Sequence, residues 1–181
     1  MDFFIQQLVN GVTLGSLYAL LAIRGGGLLV HAAGLRVNQV VHLFIGPSGS
    51  GKTTVVALSP EAAALNDDLI IVRPAEHGWL AYATPFWNLE THQQPNSGAG
   101  VPIAGIYRLV QDRNVYLESV SAASAVADLV ANCPVVNGAP AWLPALLDRC
   151  RQLARDVPVW RLHFRKDPGF WDLIGNMPRG Q

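Results

Sequence analysis

The chain predicts an α/β fold, a mixed β-sheet with flanking helices, and three observations carry that expectation. Short runs rich in Val, Leu, Ile and Phe recur between turn residues, as strands do. One of them runs directly into a glycine-rich loop followed by a helix-compatible segment. Two later segments carry helical spacing rather than alternation. At 181 residues there is room for one domain with a proper core. The 13 basic and 13 acidic residues balance, which argues against the clustered basic face that nucleic acid requires. Cys133 and Cys150 have no metal-ligand spacing and read as buried, reduced thiols of a cytoplasmic protein.

Residues 1–26 form an apolar N-terminal segment. Phe3 to Ile23 carries no charge and is long enough to cross a bilayer, although Gln6, Gln7, Asn10, Thr13 and Ser16 dilute it. Arg24 and the three glycines after it end the run. The stretch NGVTLGSLYALLAI resembles the start of branched-chain amino-acid ABC transporter permeases, and nothing later in the chain does. Three readings stay open: a fused start, a membrane anchor that would attach the protein to a membrane through residues 3–23, and a helix packed on the domain.

Residues 27–176 are the expected folded domain. GLLVHAAGLRV and QVVHLFIG read as strands around Asn38-Gln39. Thr53 to Leu58 predicts a short helix stopped by Ser59-Pro60, and Glu61 to Leu65 one further helical turn. LIIVRP and WLAYATP predict strands, and residues 88–101 a polar loop. IAGIYRLV and VYLESV predict strands around the Gln111–Asn114 turn. Residues 121–133 predict a helix with a serine N-cap. Residues 140–157 predict an amphipathic helix with Leu143, Leu146, Leu147 and Leu153 inward, and residues 159–167 a closing strand.

The loop reads Gly46-Pro47-Ser48-Gly49-Ser50-Gly51-Lys52-Thr53-Thr54 and meets the spacing G-x-x-x-x-G-K-[ST] without a mismatch. Its glycines let successive amides approach and point at phosphate oxygens. Lys52 is expected on the β- and γ-phosphates and Thr53 on Mg²⁺, which makes ATP with Mg²⁺ the expected cofactor pair. After it comes Asn66-Asp67-Asp68. Two adjacent carboxylates beside a nucleotide could divide metal binding and proton acceptance, although an Asn-Asp turn between elements explains the same residues.

The segments LLVHAAG, LFIGPSGSGKTT, LSPEAAALNDDLIIVRP, YATPFW, IYRLVQ and LHFRKDPGFWDLI together resemble the small bacterial relatives of HPr kinase/phosphorylase, within the phosphoenolpyruvate carboxykinase superfamily. The resemblance runs from about residue 28 to 174. It implies an HPr-kinase-like ATP-dependent serine kinase, with Lys52, Asp67, Asp68 and His31 in catalysis. Thr53 and Asp68 are the expected metal pair, while the division of base and metal roles between the two Asp residues stays open. The signature by which full HPr kinases recognise HPr is absent, so the implied acceptor is a peptide or small protein, and a homo-oligomer is a further option. The alternative is an ATP-binding regulatory module with little catalysis.

Other residues carry plainer readings. His42 and the aromatic residues Phe164, Phe170 and Trp171 are expected in the core. Thr84, Pro85, Phe86 and Trp87 could line a base pocket by stacking, or pack. Arg108 and Arg113 read as solvated hairpin charges, with contact to a γ-phosphate or an acidic substrate as the other option. Ser119, Ser121 and Ser124 have no His/Asp partners in the pattern of a hydrolase.

Overall fold

Asn38 takes a left-handed backbone (φ 58°), the conformation a two-residue hairpin turn needs, and the apolar runs on either side of it pair antiparallel from Val37↔Val40 to Ala32↔Ile45. The computed structural model describes residues 22–85, 98–134 and 140–175. Its strands are β1 (Leu28–Val37), β2 (Val40–Ile45), β3 (Ala63–Asn66), β4 (Leu69–Pro74), β5 (Trp79–Ala83), β6 (Val101–Gln111), β7 (Tyr116–Ser119) and β8 (Val159–Phe164). Its helices are α1 (Lys52–Ala57), α2 (Ala122–Ala131), α3 (Leu143–Asp156) and α4 (Phe170–Gly175). The β2–β6 and β6–β8 pairs are parallel and the others antiparallel, so the sheet is mixed, as expected.

β1 is the pivot. Residues 28–31 pair with β4, and residues 34–36 pair with β3, on the edge away from β2. β3 and β4 therefore follow one another along β1, and the break between them is Asp67-Asp68. Beyond β2 lie β6, β8 and β7 in that order.

Alternation along β2 assigns two cores. Val41, Leu43 and Ile45 join Val30, Ile70 and Ile106 in a cluster closed by Leu129 of α2 and Leu146, Cys150 and Leu153 of α3. Phe44 joins Tyr107, Leu109, Phe164 and Phe170 in a second cluster closed by Val55 and Val56 of α1. Each fully buried Leu or Phe contributes about 1.5–3 kcal/mol, so the helices are held mainly by these faces. Cys133 and Cys150 are free and buried.

Three expectations need correction. Residues 63–66 are strand, not a helical turn: Leu35↔Ala64 and Arg36↔Ala63 pair across β1, and tertiary ladder pairing there overrides the helical propensity of three alanines. The strands flanking the Gln111–Asn114 turn do not pair with each other, because β8 lies between them and pairs with both. Leu143 opens α3 largely exposed, while Cys150 takes the inward position in line with Leu146 and Leu153.

The N-terminal run lies outside the described residues up to residue 21. At its end Ala22 is buried with Leu29 against Leu69 and Ile71, and Arg24 stacks over the Trp142 ring. Among the described residues no helix is long and apolar enough to cross a membrane. The polar loop falls mostly outside the described residues, as do Phe86 and Trp87.

Candidate functional site

The glycine-rich loop leaves β2 at its C-terminal end, turns at Ser48-Gly49 with the Ser50 amide donating to the Pro47 carbonyl at 3.1 Å, and enters α1 at Lys52. Gly51 shows why a side chain is excluded there: its φ is 110°, and a Cβ would lie 2.6 Å from Cζ of Phe164. At Gly46 a Cβ would meet Ser50 Oγ at 2.5 Å, so the loop closes tightly on itself. Across this closure the Lys52 ammonium donates to the Gly46 carbonyl at 2.7 Å and to the Pro47 carbonyl at 3.3 Å. Burial pushes the Lys52 ammonium below its usual range; Asp68 acts to raise it, and Arg108 to lower it.

Beside the loop is a cleft of about 290 Å³. Ser48, Gly49, Gly51, Lys52, Thr53 and Thr54 of the expected loop line it, together with His31 and Asp67. Gly46 and Pro47 instead hold the Lys52 ammonium, and the Ser50 hydroxyl is buried beneath the loop. Asp68 joins through His31, whose Nε2 lies 3.1 Å from Asp68 Oδ1. Residues well separated in sequence thus meet at one place, among them all four expected catalytic residues.

Asn66 fixes the acidic pair. Its Oδ1 accepts from the Asp68 amide at 2.8 Å and the Leu69 amide at 3.0 Å, an Asx arrangement that folds the chain between β3 and β4. Its Nδ2 donates to the Thr84 carbonyl at 2.9 Å, and the Thr84 hydroxyl donates to the Leu69 carbonyl at 2.7 Å. Thr84 is therefore a buried structural contact, not part of a stacking surface. The Ala32 amide donates to the Asp68 carbonyl at 2.9 Å and ties the turn to β1. Asp67 is only 2% exposed.

Two lining residues were not anticipated, Gln111 and Lys166. Gln111 Nε2 donates to the Gly49 carbonyl at 2.8 Å. Arg108 is likewise not a solvated hairpin charge: it is half-buried and pairs with Asp128 at 3.6 Å, while Arg161 pairs with the same carboxylate at 3.4 Å. Its carboxylate partner lies on α2, twenty residues away in sequence, which no local pattern announces. Ser121 caps α2 through the Ser124 amide, and the Ser124 hydroxyl accepts from Arg161, so both have structural work.

His42 sits outside the cleft, with Nδ1 3.4 Å from the Tyr107 hydroxyl and its ring edge-on to Trp171. Burial lowers the imidazole to about 4, so it is neutral at ordinary pH, and burial likewise raises the Tyr107 phenol to about 12. It is a half-buried structural residue packed beside the core.

Chemically, Thr53 and the two carboxylates offer hard oxygen donors of the kind Mg²⁺ takes, and Lys52 offers a cation. Among the described residues no cluster of three or more His, Cys, Asp or Glu side chains could hold a metal by itself. A Mg²⁺ that keeps waters and phosphate oxygens needs only one or two protein carboxylates, so the residues present fit it.

No family model matches the chain, and no curated protein matches it. Among solved structures, the HPr(Ser) kinase/phosphatase from Coxiella burnetii is similar at 11% identity over 75% of this chain and 84% of that one, with a TM-score of 0.38. A likeness of that size carries no argument about fold or activity.

Proposed function

We propose that the cleft binds ATP with Mg²⁺ and transfers the γ-phosphoryl group to a hydroxyl, in the first instance a serine, of a peptide or small protein. The reading rests chiefly on one observation: Lys52, Thr53, Asp67 and His31 line a single cleft, with Asp68 held to His31. Loop spacing alone supports phosphate binding; carboxylates brought to the same cleft support transfer.

In this reading the loop amides and Lys52 hold the phosphates, and Lys52 offsets charge on the transferring group. Thr53 and Asp68 would hold Mg²⁺, which supplies charge neutralisation between the phosphates. Asp67 accepts the proton of the acceptor hydroxyl as its oxygen bonds to the γ-phosphorus, and ADP leaves with the electrons of the broken bond. His31 orients Asp68. The domain would comprise residues 27–176. The burial of Asp67 favours a second reading, in which the protein binds ATP as a regulatory module without transfer.

Incubation with γ-labelled ATP and serine-containing acceptor peptides separates the two. Transfer predicts labelled peptide, reduced at least about 100-fold in Asp67→Asn while nucleotide binding persists. Undiminished labelling in Asp67→Asn would remove it as the base, and ATP binding without labelled acceptor would favour the regulatory module.

A further inference from the structure

Lys166 lies in the turn between β8 and α4, far in sequence from the glycine-rich loop, yet it lines the same cleft as Lys52, Thr53 and Asp67. Local chemistry puts it there. Phe164 ends β8 with its ring directly beneath Gly51, which brings the end of the strand against the loop. Asp167 then accepts from the Gly169 amide at 3.0 Å and pairs with Arg165, closing the turn on either side of Lys166. On the neighbouring strand Gln111 fastens the Gly49 carbonyl. The sheet order β1-β2-β6-β8 therefore gives the cleft two walls. His31 and Asp67 stand on the β1 side of the loop, and Gln111 and Lys166 on the β6–β8 side.

The charges on the two walls differ. The β1 side carries the Asp67 carboxylate and the His31–Asp68 pair and supplies no ammonium group to the cleft. The two ammonium groups lining the cleft are Lys52 and Lys166. Lys52 is buried and already engaged with two loop carbonyls, whereas Lys166 is exposed on a flexible stem.

We infer that Lys166 is a second phosphate-contacting residue, whose ammonium reaches the bound polyphosphate from the wall facing the carboxylates. This rests on the reading of the cleft as an ATP phosphate site. The full chain, Lys166→Ala and Lys166→Arg are titrated calorimetrically with Mg·ATP and with Mg·tripolyphosphate, which has neither base nor ribose. Lys166→Ala should weaken both about tenfold and equally, and Lys166→Arg should restore most of the loss. A loss confined to ATP would assign Lys166 to the base or ribose and overturn the inference, as would no loss at all. If the wild-type chain binds Mg·ATP normally and Lys166→Ala matches it, only the role of Lys166 falls. If the wild-type chain binds neither compound, the ATP reading itself fails and takes this role with it. The thermal midpoint without ligand should be unchanged in both variants; a drop in Lys166→Ala alone would make the residue structural and also overturn the inference.

Discussion

At the residue scale, His42 shows how burial converts a titratable group into a condition on stability. Its imidazole titrates near 4 in the folded chain, against 6.5 for an ordinary histidine, so the unfolded chain binds this proton more readily. The sign follows: no destabilisation arises above pH 6.5, and it grows as pH falls from 6.5 toward 4. Because the ring is only half-buried, the expected loss is about 1–2 kcal/mol. Urea unfolding of wild type and His42→Gln at a series of pH values reads this directly. The variant should be less stable at pH 7 but should lose less on acidification. An equally steep acid limb in both would place the proton uptake elsewhere.

At the element scale, the break between β3 and β4 matters most, because it carries the acidic pair. Asn66 is fully buried and satisfies two backbone amides and the Thr84 carbonyl. Replacing it with Ala leaves those groups without partners in the interior, at a cost of about 2–4 kcal/mol. Chemical denaturation of Asn66→Ala checks this; a loss below about 0.5 kcal/mol, the size of an ordinary surface change, would show that the turn stands without it. The residues of this turn were readable from the sequence, since Asn and Asp favour such turns for local reasons. The strand before it was not. Ala63 and Ala64 follow a glutamate and read as helix, and only the neighbouring β1 makes them strand.

At the scale of the whole molecule, what was legible depends on how local its cause is. The hairpin at Asn38, the loop spacing at residues 46–53, the serine cap of α2 and the inward Leu146 and Leu153 all follow from contacts within a few residues. The insertion of β8 between β6 and β7 does not, because parallel pairing with β6 is fixed by packing over long sequence separations. The same difference divides the cleft. Lys52, Thr53 and the Asp pair announce themselves by spacing, while Gln111 and Lys166 enter only because two distant strand ends converge on the loop.

The central claim is that the loop at residues 46–53 binds nucleotide phosphates through Lys52. Calorimetric titration of Mg·ATP into the wild-type chain and Lys52→Ala tests it most directly. The account predicts saturable binding by the wild type and a loss of about 30–100-fold in the variant, the worth of a charge-assisted contact to phosphate. Equal affinity in the two proteins, or no binding by the wild type, would contradict it.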